Sequence, residues 1–230
     1  MYLDTFVEKA NKIIFSYPDP MSYLNKRGIT EYDIKKFSLG YVKSANMKVC
    51  DSDDYIYIKE ATYGFRGLQN RIVIPLRNIL GHTNGLIVRD ITKKHYVQYF
   101  LKEAKNIGAF FGLYEALPHI FKTKKVFVHE GAFNSISFSK VFPNSIACLT
   151  SILNENQYEL LLMFASKIIL VFDADDPGSY GMSKIFERFG DKHITTVSLG
   201  YNDTNDCYQK MDLEKFKKYI TNKVPILLRD

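Results

Sequence analysis

Apolar positions change their period partway along this chain, and the change divides it. Near the start, Phe6, Ala10, Ile13 and Ile14 recur at the spacing of one helical face, which predicts a first helix. A short helix holding Tyr23 and Leu24 follows the turn at Pro18 and Pro20. Thr30 then caps a further helix that runs through Phe37 and ends at Gly40. A polar stretch, 43–54, interrupts the pattern, and beyond it the period shortens. The runs YIYIK (55–59), RIVIPLR (71–77) and GLIVRDI (85–91) alternate or are β-branched, and 78–84 reads as a hairpin loop. The first region is therefore expected to be α+β with an antiparallel sheet.

From about residue 124 short apolar runs alternate with helical patterns. The expected strands are VFVH (126–129), SIACL (145–149), KIILVF (167–172) and ITTVSL (194–199). Helices are expected at 132–140, 154–165 and 179–189, with a last one at about 212–222. Strands and helices alternating at this pitch predict a parallel sheet with right-handed crossovers, a Rossmann-like α/β unit. The expected organisation is an α+β subdomain over 1–123, an α/β domain over 124–210, and a closing helix and tail over 211–230.

Composition adds little to the fold and something to the function. The chain is 230 residues long, 46% hydrophobic and 24% charged, which suits an ordinary globular protein with a real core. No stretch approaches the roughly 20 apolar residues of a membrane span, and MYLDTFVEKANKIIF lacks the form of a signal peptide. The expected location is cytoplasmic, with no membrane partner. Cys50, Cys148 and Cys207 lie far apart with no CxxC or Cys/His cluster, so neither a disulfide framework nor a zinc site is expected. The net charge of +6 is uneven. Residues 1–124 hold 19 Lys/Arg against 12 Asp/Glu, while 125–230 hold 12 against 13. The basic surplus, and with it an anionic partner, belongs to the first half.

The acids of the second half gather where chemistry is expected. In an open parallel sheet, functional groups collect beyond the carboxyl ends of the strands. Glu130 directly follows VFVH, Asp173 and Asp175 directly follow KIILVF, and Asp203 and Asp206 lie in the loop after ITTVSL. Acids brought together raise one another's pKa, and a divalent cation reverses that cost. Magnesium favours carboxylate and water oxygens and leaves room for substrate phosphate, so the spacing points to phosphoryl transfer. The competing reading is helix capping, which Asp176 before Pro177 and Gly178 is placed to do.

The strings HEGAFNSISF (129–138) and VFDADDPGSYGM (171–182) resemble the TOPRIM domain shared by DnaG-type primases, topoisomerases and some nucleases. Its Glu-Gly and Asp-x-Asp signatures stand here as Glu130-Gly131 and Asp173-Ala174-Asp175, followed by a matching helix entry at Asp176, Pro177 and Gly178. The resemblance implies that Glu130, Asp173 and Asp175 are catalytic and hold Mg2+ or Mn2+, with Asp203 a further ligand and Asp206 a weaker match. It also makes Glu130 a candidate acid/base. Primases often carry an Asp four residues after the Glu. This chain has Asn134, whose amide can hydrogen-bond or ligate but brings no charge, which implies a weaker metal complement.

The first half narrows the family. YLNKRGIT (23–30) with FSLGY (37–41), then RIVIPLRNILGHTNGLIVRD (71–90), then FFGLYEA (110–116) resemble, in order, landmarks of the DnaG-type primase RNA polymerase core. A topoisomerase would need a strand-passage region for which 230 residues leave no room. By this resemblance Arg71, Arg89 and one of Lys94, Lys102 and Lys105 would contact template or nucleotide; Arg77 on the adjacent strand adds to the basic set, and Tyr96, Tyr99 and Phe100 are interleaved as stacking surfaces. The competing reading is a solvated charge or a core aromatic. The implied function is synthesis of short RNA primers from ribonucleoside triphosphates on single-stranded DNA during replication. The chain shows no zinc ribbon and no helicase-binding domain, so the reading expects a replicative helicase or a separate zinc-ribbon protein as partner, as in a phage-like element. The alternatives are a metal-dependent TOPRIM nuclease and a non-catalytic nucleic-acid-binding accessory protein.

Overall fold

The computed structural model describes residues 2–43, 68–93, 95–100 and 109–229, with Tyr2 and Phe100 as backbone only. The expected strand at 55–59, Cys50, Lys94, Lys102 and Lys105 lie outside these residues. The chain forms two compact units, Met1–Ile107 and Gly108–Asp230.

In the first unit the predicted helices form as α1 (Tyr2–Ile14), α2 (Pro18–Lys26) and α3 (Glu31–Lys36), followed by β1 (Gly40–Val42), β2 (Arg71–Arg77), β3 (Thr83–Asp90) and β4 (Tyr96–Phe100). The strands pair antiparallel in the order β1-β2-β3-β4. Register puts Val42, Val73, Val88, Leu86 and Tyr99 on one face, because Val73 pairs with Val88 and Leu86 with Tyr99. The apolar stripe of α1, with Leu3, Phe6, Val7 and Ala10 fully or almost fully buried, packs on that face. Gly40 makes the close approach possible, since a Cβ there would lie 2.6 Å from the Cβ of Ala10. Asn11 Nδ2 donates to the carbonyls of Ile34 (3.1 Å) and Leu39 (2.7 Å), fastening α1 to the end of α3.

The second unit contains α4 (Leu113–Thr123), β5 (Lys125–His129), α5 (Ala132–Ser139), β6 (Ser145–Ala147), α6 (Glu155–Leu162), β7 (Lys167–Leu170), α7 (Asp176–Phe189), β8 (Ile194–Thr196), α8 (Thr204–Gln209) and α9 (Leu213–Lys223). The sheet is parallel throughout and ordered β6-β5-β7-β8. Alternate residues of each strand face two different cores. Val126 and Val128 of β5, with Ile168 and Leu170 of β7, meet α4, α6 and α7. Phe127 and Ile169 meet Phe138 and Phe142 at α5, and Phe216 and Ile220 of α9. A sheet buried on both faces explains why its strands read as continuous apolar runs.

Two organisational expectations change. The division falls between Ile107 and Gly108, not near 123, because α4 buries Leu113, Ala116, Leu117 and Ile120 in the second unit's core. Phe111 also bridges Ala147 at the open edge of β6. The segment after 210 is no separate tail, since Phe216, Ile220 and Val224 complete the core on the other face. Among the described residues no helix is long and apolar enough to cross a membrane.

Candidate active site

Strand order decides where this sheet can hold a site. From β5 the chain steps outward to β6, then returns past β5 to β7 and continues to β8, so the winding reverses between β5 and β7. Connections diverge at such a switch point and leave a crevice beyond the carboxyl ends of the two strands. Glu130 follows β5 and Asp173 lies just past β7, one on each side of the crevice. The backbone N–H of Asp173 donates to Oε1 of Glu130 at 3.2 Å, across 43 residues of sequence.

A glycine holds this approach open. At Gly178, in the first turn of α7, a Cβ would sit 2.2 Å from the carbonyl oxygen of Asp173 and 2.8 Å from Oε1 of Glu130. Only a residue without a side chain lets the helix start settle on the acid pair. Burial pushes the Glu130 carboxyl above the ordinary range, the Asp173 N–H pulls it back, and the charge of Asp175 raises it again. His129, just before it, is fully buried, contacts the Phe138 ring at 4.8 Å between centroids, and is driven down to about 3 by desolvation. It is a neutral, packed residue, as its place in the strand predicts.

The remaining acids are engaged locally. Asp175, and not Asp176, caps α7: its Oδ1 accepts from Gly178 N at 2.8 Å, and Asp176 is the first helical residue. Asp203 caps α8 by accepting from Asp206 N at 2.7 Å, and Asp206 pairs with Lys210 at 2.8 Å. The two acidic loops do meet, through Ala174 N donating to Asn202 O at 2.8 Å. Among the described residues, however, no three His, Cys, Asp or Glu side chains converge into a cluster able to hold a metal ion. The expected three-carboxylate cluster is therefore not preformed, because capping turns Asp175 and Asp203 toward their own helices.

The arrangement still fits a hard divalent cation of the open kind. Magnesium is usually held by one or two carboxylates, with waters and substrate phosphates completing its shell. Oε2 of Glu130 and Oδ2 of Asp175 take no hydrogen bond among the described residues, and the raised Glu130 carboxyl marks a place where added positive charge is favourable.

In the first unit, the three predicted arginines are half-buried and held. Arg71 meets His95 Nδ1 at 3.1 Å and Asp90 at 4.0 Å. Arg77 donates to Ser38 Oγ, and Arg89 donates through Nε to the Tyr23 hydroxyl. Arg71 pairs with Asp90 and Ile72 with Arg89, so Arg71 and Arg89 leave opposite faces of the sheet. Tyr99 is fully buried in the core and offers no stacking surface, whereas Tyr96 is exposed. Sequence reasoning missed Arg27, which also reaches the Tyr23 hydroxyl, at 3.0 Å. The four-residue spacing of Tyr23 and Arg27 on α2 was the available signal.

Known proteins share this fold. Residues 127–209 match the Toprim-like family. The DNA primase of Aquifex aeolicus is 28% identical over 199 residues, covering 78% of this chain and 39% of that protein. The crystal structure of the Aquifex aeolicus primase zinc-binding and RNA polymerase domains superposes with a TM-score of 0.79 at 24% identity, over 97% of this chain and 60% of that one. The Escherichia coli primase catalytic core gives 0.74 at 18% identity, over 97% and 81%. The chain thus spans well under half of the curated relative. The chain is similar to the DNA primases and has the fold of a DnaG-type catalytic core, in which residues 127–209 match the Toprim-like family.

Proposed function

We propose that this chain is the catalytic core of a DNA primase, joining ribonucleoside triphosphates into short RNA primers on single-stranded DNA during replication. The observation that carries the reading is the pairing of Glu130 with the Asp173 loop across the switch point of a parallel sheet, in a chain built like a primase core. Glu130, Asp173 and Asp175, with Asp203 nearby, would hold Mg2+ or Mn2+. A bound cation of this kind supplies neutralisation of the charge that develops on phosphoryl oxygens. Glu130, its carboxyl raised by burial, would accept a proton from a primer 3′-hydroxyl. Arg71, Arg77 and Arg89, with Lys94, Lys102 and Lys105, would bind template and triphosphate, and a helicase or zinc-ribbon protein would direct initiation at cytoplasmic DNA.

Incubation with labelled single-stranded DNA, Mg2+ and ribonucleotides tests the reading. Extension products support it. Shortened DNA would assign a nuclease, and DNA binding with neither product and no metal uptake would assign an accessory protein. Asp173→Ala should reduce synthesis at least 100-fold, the order expected for loss of a charge-stabilising group at the reacting phosphate, while template binding changes little. Retained synthesis in that variant removes Asp173 from the site.

A further inference from the structure

The residue one helical turn beyond Glu130 is an amide. Asn134, on the first turn of α5, is 6% exposed and both ends of its amide are used. Nδ2 donates to Oδ1 of Asp173 at 2.8 Å. Oδ1 accepts the backbone N–H of Asn205, in the first turn of α8, at 3.1 Å. A carboxylate can only accept and a peptide N–H can only donate, so these two partners fix which way the amide points. Asn205 in turn donates to Ser137 Oγ at 2.9 Å and accepts from Gln209 Nε2 at 2.7 Å. The amide therefore joins α5, the acidic loop after β7 and the start of α8.

We infer that Asn134 is a positioning residue: its amide fixes the rotamer of Asp173 and registers the Asp203 loop against it, in place of acting as a metal ligand. An aspartate could not do this. Its second oxygen would face Oδ1 of Asp173 at 2.8 Å, and two carboxylates at that distance coexist only by sharing a proton or a cation. The amide gives the same spacing without either, so the acidic loop is ordered before any metal arrives. Outer-shell hydrogen bonds of this kind typically change metal affinity 10- to 100-fold. The purpose assigned to the brace rests on the proposed metal site; its existence does not.

Two measurements on the full chain separate those statements. In metal-free protein, amide hydrogen exchange at Asn205 should accelerate at least tenfold in Asn134→Ala. It should not change in Asn144→Ala, which loses a buried bond to the Lys125 carbonyl at the opposite end of β5. Unchanged exchange at Asn205 in Asn134→Ala overturns the brace. In the second measurement, Mn2+ binding followed by calorimetry should weaken about tenfold in Asn134→Ala and not at all in Asn144→Ala. In Asn134→Asp the metal-free melting temperature should fall by about 3–6 °C and recover on adding Mn2+. Equal Mn2+ affinity in wild type and Asn134→Ala overturns the positioning role. Wild-type protein that takes up no Mn2+ overturns the metal reading and the purpose given to Asn134, whatever the exchange result.

Discussion

At the scale of single residues, the site is shaped by one absent side chain and one misplaced charge. Gly178→Ala puts a methyl group 2.2 Å from backbone, which nothing flexible can relieve. The expected cost is about 1–3 kcal/mol of stability from overpacking, with a further loss of Mn2+ affinity as Glu130 and Asp173 are pushed apart. A variant with wild-type melting and metal uptake would show that the first turn of α7 does not rest on the acids. Glu130 has the opposite character. Its folded pKa lies above the unfolded one, so the folded state holds more protons between the two values and stability falls as pH rises through that window. The penalty is complete above the folded value. Metal-free Glu130→Gln should therefore melt higher than wild type at pH 7, with the gap closing toward pH 4. Melting scans at both pH values decide it, and a gap independent of pH would assign the effect to packing.

Helix ends and strand ends show what the sequence disclosed and what it withheld. The cap at Thr30 was legible because it is local, and the structure completes it as a capping box: Thr30 Oγ1 accepts from Asp33 N at 3.3 Å, while Asp33 Oδ2 accepts from Thr30 N at 2.8 Å. Thr30→Ala should cost about 0.5–2 kcal/mol, read from chemical denaturation, because α3 is only six residues long and Asp33 is left buried beside a missing partner. Asp175 shows a local rule misapplied by one position, since Asp176 reads equally well as a cap until the turn geometry is known. Helix α4 was hidden by Pro118, which removes an intrahelical donor and reads as a breaker, although tertiary burial of Leu117 and Ile120 holds the helix through it. Helix α8 carries no apolar period in TNDCYQ. It exists because Asp203 caps it and Asn205 is bonded to residues about 70 positions earlier, information that no local window contains. The acids after β5 and β7 were visible at once, but not the turning of Asp175 and Asp203 into caps.

On the scale of the whole molecule, the parallel sheet was readable because burial on both faces leaves an uninterrupted apolar run. The boundary was not, because composition changes at the first strand while packing changes one helix earlier. That difference can be tested. Leu113, Leu117 and Ile120 lie against Val126, Val128 and Ile168, and each Leu or Ile of this kind contributes about 1.5–3 kcal/mol by leaving water. Removing α4 therefore takes several kilocalories from a unit whose total stability is of the order of 5–15 kcal/mol, and uncovers one face of β5 as well. A fragment of residues 108–230 should melt in a single cooperative transition and retain Mn2+ binding, since both of its cores are internal to it. A fragment of residues 124–230 should show no cooperative transition. If the shorter fragment melts as sharply as the longer one, α4 belongs functionally to the first unit. The longer fragment should also fail to extend primers, because every arginine assigned to template or triphosphate precedes residue 108, and adding the first unit back as the intact chain should restore extension without changing the Mn2+ affinity.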